Sequence, residues 1–363
     1  MKDSSVKHVL SVFTIFVVSM VVTVIMHTYD GKYFTDSIKL ASVQGGEIFF
    51  TDGYTSSATL FKPLFEFFKF VGVSFPDFTS DLASLYFVSL FFLMMFWSLI
   101  TLIHFKYSYG VQVKQYLLLF VVALILSPFM AVITKEIIYV CLIFPALYFY
   151  NSLSNKTFIF IIFGVTVLYS LLGRSYYFLY AFLLVFVFFY RKKPIRIFVL
   201  SIALIIVVGP KIYPYFEVTL QYTKSGEFLQ HTNTWIKDIF NNSTYDGFVL
   251  NVLLNTLRIF FPIELFLMGV KYWVPAIFMI YVNFYALKVF LSLRKVVDVY
   301  SEKYIFMVFF SSVAVLTFNV AQGLFEPDYG SVLRHKLNIL FFIIILFSYE
   351  RKRFENFVRG RLA

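Results

Sequence analysis

One cysteine, Cys141, among 363 residues excludes an internal disulfide and any cysteine-held metal cluster. Charge is scarce as well. Asp, Glu, Lys and Arg make up 14% of the chain, and there are five histidines. The sequence has no His-Glu-x-x-His, no phosphate-binding glycine loop, no Gly-x-Ser-x-Gly and no dinucleotide fingerprint. A nucleotide donor used on the inner side is therefore not expected. Period-2 alternation is absent too, which argues against a membrane barrel. No small-residue cleavage site precedes His27, so the apolar run after Lys2 and Lys7 reads as a retained helix rather than a signal peptide.

Apolar and aromatic residues fill the chain instead. It is 60% hydrophobic, with 50 Phe and 26 Tyr. Its mean hydropathy of +0.81 excludes an ordinary soluble domain. Backbone groups in lipid must be satisfied within the segment, so runs of this kind form helices. The expected fold is all-α and polytopic, a single membrane domain over 1–363. Spans are placed roughly at 9–27, 82–104, 116–134, 137–151, 157–172, 177–190, 197–210, 272–292, 304–321 and 337–349. With the N-terminus inside, the inner segments hold 17 basic and 5 acidic residues, against 13 and 15 outside. That is the positive-inside bias, with both termini cytoplasmic. The net charge of +11 is then an orientation signal rather than a nucleic-acid footprint, and no nucleic-acid motif accompanies it.

The count also decides how 248–270 is read. As an eleventh span it would put Arg294, Lys295 and the 351–353 basic run outside. It is therefore placed as a re-entrant or interfacial segment broken near Pro262. Two long extracytoplasmic loops result, 28–81 and 211–271. In the first, Leu60–Phe70 reads as an amphipathic helix on the membrane surface.

Ionisable residues close to a bilayer are costly and mark candidate sites. The densest group is Glu326-Pro-Asp328-Tyr-Gly-Ser331-Val-Leu-Arg334-His335-Lys336. His335 is of the residue type that most often serves as a base or acid; Glu326 and Asp328 can do the same or orient it. Ser331 is expected to cap the next helix, which puts Arg334 and His335 in its first turns near an anion-favouring terminus. The plainer reading is a solvated turn with snorkelling basic ends. Arg174 follows Gly173 in a short outer hairpin. Arg258 shares a helical face with Asn251 and Asn255. Lys135-Glu136 occupies a tight turn, where an interfacial ion pair is the plain alternative. Asp30, just past the first span, is either a base or a turn aspartate. Asp36, Asp52 and His231 are weaker candidates.

Two likenesses follow from these residues. Asp30 after the first span, then Tyr54, Leu60, Pro63-Leu64 and Phe70-Val-Gly72, resemble membrane glycosyltransferases of the GT-C type. The ten-span layout with Thr134-Lys135-Glu136, Gly173-Arg174 and 326–335 resembles O-antigen or capsular repeat-unit polymerases of the Wzy type, although here the arginines are spread over three segments. The resemblance implies a glycan polymerase at the outer face of a bacterial inner membrane. Its substrate would be oligosaccharide linked to undecaprenyl pyrophosphate, and its partners membrane lipids and a chain-length regulator protein. Arg174, Arg258, Arg334 and Lys135 would bind the pyrophosphate, and one of His335, Asp328, Glu326 or Asp30 would take the acceptor proton. Metal and cofactor are not required if cations supply the charge. A lipid-linked oligosaccharide flippase is the alternative from another class; it would line its spans with charge through the midplane.

Overall fold

The computed structural model describes residues 2–29, 35–43, 53–73, 81–107, 113–193, 234–241, 244–299 and 301–350, with residues 33, 196, 210, 211 and 213. Among the described residues there is no strand, only an isolated bridge between Trp235 and Asp328. The fold is all-helical, as expected of a polytopic membrane protein. Among the described residues, seven helices are long and apolar enough to cross a bilayer: His8–Thr28, Leu82–Tyr107, Val113–Met130, Asn155–Leu172, Val270–Leu293, Lys303–Phe325 and Tyr329–Phe347. At the expected spans 137–151 and 177–190 the helices are Glu136–Tyr148 and Tyr177–Tyr190, with 13 and 14 residues. At about 1.5 Å per residue each rises only about 20 Å, short of a hydrocarbon core of about 30 Å. The seventh expected span, 197–210, lies outside the described residues save for residue 210.

Contacts divide the chain into two compact units, Met1–Phe178 with Phe347–Arg351, and Leu179–Leu346 with Lys352–Ala363. The first unit contains α1 (Lys2–Tyr29), α2 (Thr35–Ser42), α3 (Gly53–Phe70), α4 (Leu82–Tyr107), α5 (Val113–Met130), α6 (Glu136–Tyr148) and α7 (Asn155–Leu172). Helix α1 packs on α4 and α5. Apolar surface gives helices little reason to choose one register over another in lipid, so polar contacts matter. The Trp97 indole donates to Ser19 Oγ at 2.7 Å, and Ser19 also bonds Ser127. His27 Nε2 donates to the Pro128 carbonyl at 2.9 Å, leaving Nδ1 to accept from Ser89 at 3.1 Å. The amphipathic segment expected at 60–70 is the second half of α3, which starts seven residues earlier, at Gly53.

The second unit opens with most of α8 (Tyr177–Tyr190). Beyond it come α9 (Tyr245–Phe260), α10 (Ile263–Leu267), α11 (Trp273–Leu293), α12 (Lys303–Phe325), α13 (Tyr329–His335), a 3-10 turn over Lys336–Ile339, and α14 (Leu340–Phe347). The break expected near Pro262 is present between α9 and α10. Helix α9 is inverted relative to a soluble amphipathic helix. It buries Asn251 and Asn255 and exposes Leu250, Leu253 and Leu257. It lies tight on α12, where a Cβ at Gly323 would sit 2.2 Å from Thr256 Oγ1 and 2.7 Å from Thr256 Cα. Only glycine permits that approach. Helix α12 is the most enclosed of the seven spans, with 89% of its apolar window buried, and Tyr329–Phe347 follows at 83%; α1 reaches 22%. The turn at 326–328 thus joins the two most sheltered spans.

Candidate functional site

Helix α12 ends at Phe325 because Pro327 cannot continue it. Glu326 is extended, and Asp328 caps α13 by accepting from the Ser331 amide at 2.9 Å. This corrects the expected cap. Ser331 lies inside the helix, since the aspartate reaches the third amide from one turn upstream. Arg334 and His335 consequently occupy the last turn of α13, not the first. They stand five and six residues past the start of this helix, beyond the first turn in which its free amides would favour an anion.

Two of the expected site residues meet directly. His335 Nδ1 lies 2.6 Å from Glu326 Oε1, with 0% and 3% of the side chains exposed. A buried carboxylate on Nδ1 fixes the ring and the tautomer, which leaves Nε2 as the basic nitrogen. One residue on, the Lys336 ammonium donates to Gln322 Oε1 at 2.7 Å and to Asn319 Oδ1. The Asn319 amide donates to Asn283 Oδ1 at 2.6 Å. The Asn283 amide in turn donates to the carbonyls of Ile259 and Phe260, both at 3.1 Å, closing the end of α9. A polar seam therefore runs from α9 through α11 and α12 to the 3-10 turn. Asn283 and Asn319 were not singled out from sequence, and Gln322 and Lys336 were given no role there. The signal was there, in Asn319 and Gln322 three residues apart within an apolar run. Lys336 was assigned to the outer loop, yet it is 1% exposed.

Segment 234–241 docks on the same turn. Ile236 donates to the Pro327 carbonyl at 2.9 Å, and Tyr329 to the Thr234 carbonyl at 3.0 Å. The expected polar face of α9 holds this segment in place. Asn251 accepts from the Ile239 and Phe240 amides and donates to the Phe240 carbonyl. Asn255 donates to Asp238 at 2.9 Å, and Arg258 to the Lys237 carbonyl at 2.7 Å. Arg258 also pairs with Glu264 at 3.0 Å, and the Tyr329 hydroxyl donates to the other Glu264 oxygen at 3.2 Å.

Burial raises the Asp328 carboxyl above its ordinary 3.8, with the Glu326 charge adding to the shift and the Ser331 amide opposing it. A raised carboxyl favours the fold while protonated. Its contribution is complete below pH 3.8 and is lost as pH rises through the folded value. Asp328→Asn keeps a capping side chain and removes the titration. Unfolding in detergent, followed from pH 3.8 upward, should show a flatter dependence in the variant; an unchanged slope would place the titration elsewhere.

Compared with family models, curated proteins and solved structures, the chain matches none. Glu326, Asp328, Arg334, His335 and Arg258 belong to the second unit. Lys135 and Arg174 belong to the first. There Arg174 pairs with the buried Glu136 at 2.9 Å. Lys135 lies 3.7 Å from the centre of the Tyr54 ring. Asp30 falls outside the described residues. Among the described residues, no group of three or more His, Cys, Asp or Glu could hold a metal ion.

Proposed function

We propose that this chain is a membrane glycan polymerase working on oligosaccharide carried by a polyprenyl pyrophosphate. One observation carries the reading: the sheltered Glu326–His335 pair at the turn between the two most enclosed spans. In the proposed step, His335 Nε2 removes the proton from the acceptor sugar hydroxyl, and Glu326 steadies the resulting imidazolium. The hydroxyl oxygen attacks the anomeric carbon of the donor. The bond from that carbon to the pyrophosphate oxygen breaks, and the electron pair leaves with the lipid pyrophosphate. Arg334 and Arg258 offset the charge on the leaving group. The ten-span layout, both termini in the cytoplasm, an outward-facing site and a bacterial inner membrane belong to this proposal.

A specific observation favours a second reading, transport of the lipid-linked oligosaccharide. Lys336, Asn319 and Asn283 place polar groups within the spans, beside a 3-10 interruption of the last one. Broken helices that line a polar path are a transporter trait. Deleting the encoding gene and analysing surface glycan separates the two. Surface glycan one repeat long is the polymerase outcome. Loss of all surface repeats, with lipid-linked units accumulating inside, would replace it with transport.

A further inference from the structure

We propose that Trp235 is a platform for one pyranose unit of a glycan, with Asp328 accepting a hydrogen bond from a hydroxyl of the same unit; that the ligand is a glycan rests on the polymerase reading. The Ile236 amide donates to the Pro327 carbonyl at 2.9 Å, and the Tyr329 amide to the Thr234 carbonyl at 3.0 Å. These two bonds flank the antiparallel bridge between Trp235 and Asp328. Partners flanked in this way stand about 4.5 Å apart at their Cα atoms, with their side chains on one face. Successive residues of an extended segment face opposite ways. Ile236 accordingly turns inward, at 1% exposed, while Trp235 is half-buried and Lys237 exposed. The Lys237 ammonium lies 5.6 Å from the centre of the Trp235 ring, as neighbours on one face do.

The groups on this face suit a sugar. Of the three tryptophans, Trp97 donates its indole N–H to Ser19 at 2.7 Å and Trp273 donates to the Phe266 carbonyl at 3.1 Å. The Trp235 indole N–H has no partner among the described residues. Asp328 commits Oδ1 to the Ser331 amide at 2.9 Å, and the Thr234 hydroxyl approaches the same oxygen at 3.5 Å. Its Oδ2 accepts no hydrogen bond among the described residues, and the residue is half-buried. One donor, one acceptor and one apolar ring face therefore stand together. A pyranose offers the complement, a face of C–H bonds rimmed by hydroxyls that donate and accept. The Asp328 carboxyl feels the charges of Glu326, Arg334 and His335, so a sugar seated here is a neighbour of the proposed base. Asn251, Asn255 and Arg258 hold the segment from α9, and removing the indole leaves those anchors in place.

Calorimetric titration of the full-length protein in nanodiscs tests it. The probe is the repeat-unit oligosaccharide prepared by partial acid hydrolysis of the cells' own surface glycan. Trp235→Ala should bind about tenfold more weakly, the loss of one stacked ring, and melt at the same temperature as wild type without sugar. Trp235→Phe keeps a ring face, so its affinity should fall between the two. It should also lose the change in tryptophan emission that the oligosaccharide causes in wild type, since Trp97 and Trp273 are its remaining reporters. Equal affinity in wild type and Trp235→Ala refutes the platform, as does no binding by wild type. An emission change undiminished in Trp235→Phe refutes it too, because the sugar then sits elsewhere. Titration reads sugar binding directly, so its outcome is separate from that of the gene deletion. Trp235-dependent affinity alongside loss of all surface repeats keeps the platform and gives it to transport. Single-repeat glycan alongside Trp235-independent affinity keeps the polymerase and refutes the platform.

Discussion

Replacing Glu326 by glutamine should lower glycan elongation by about 10²- to 10⁴-fold, the usual contribution of a positioned acid–base group, while the protein remains in the membrane. The amide fills the same space as the carboxylate and can still meet His335 Nδ1 across the 2.6 Å contact. It carries no charge, so it cannot steady an imidazolium, and through its NH₂ it can hold the ring in the wrong tautomer. His335→Ala should be about as damaging, and the double variant little worse than either, because residues that act as a unit do not add. Glycan length distribution in complemented cells, set against protein level in the membrane fraction, measures this. Normal-length glycan in Glu326→Gln at wild-type protein levels would remove the pair from the chemistry.

Asn283→Leu is expected to cost about 2–4 kcal/mol of stability, since it abandons several buried groups at roughly 1–3 kcal/mol each. Asn283 donates to two carbonyls at the end of α9 and accepts from Asn319. Leucine keeps the branched outline, although it is bulkier, so the branch point is retained and the hydrogen bonds are what is removed. Measured bonds between membrane helices average only about 0.6 kcal/mol, since partners can be found elsewhere. That average does not suit α9, whose last carbonyls have no further turn to bond to. Adding Asn319→Leu to Asn283→Leu should cost less than Asn319→Leu alone, because the shared bond is already gone. Denaturant unfolding in detergent across this cycle gives the coupling. Strict additivity would show that Asn283 and Asn319 do not act together.

The long apolar runs announced their helices, because an 18-residue stretch without charge has few other uses. Pro262 announced the break before α10 for an equally local reason, as it removes a donor and restricts its neighbour. The Glu326–His335 meeting was legible only as proximity in sequence. That Pro327 ends one helix and Asp328 starts the next, folding the two side chains onto each other, is a tertiary result. Lys336 was misplaced for a similar reason. A lysine directly after Arg334 and His335 reads as part of a basic loop, yet the chain continues as a 3-10 turn and carries it inward to Asn319 and Gln322. Arg174 and Glu136 are 38 residues apart, and no periodicity links them.

The inverted face of α9 has a consequence for how this helix finds its seat. Its leucines would be equally content at many rotations in an oily surrounding, so greasiness cannot index it. Asn251, Asn255 and Arg258 act instead as teeth, and Gly323 as the notch that Thr256 drops into. A slip of one residue turns the helix by about 100° and disengages every tooth together. The helix should therefore gain or lose these contacts as one set, with α12 offering the notch.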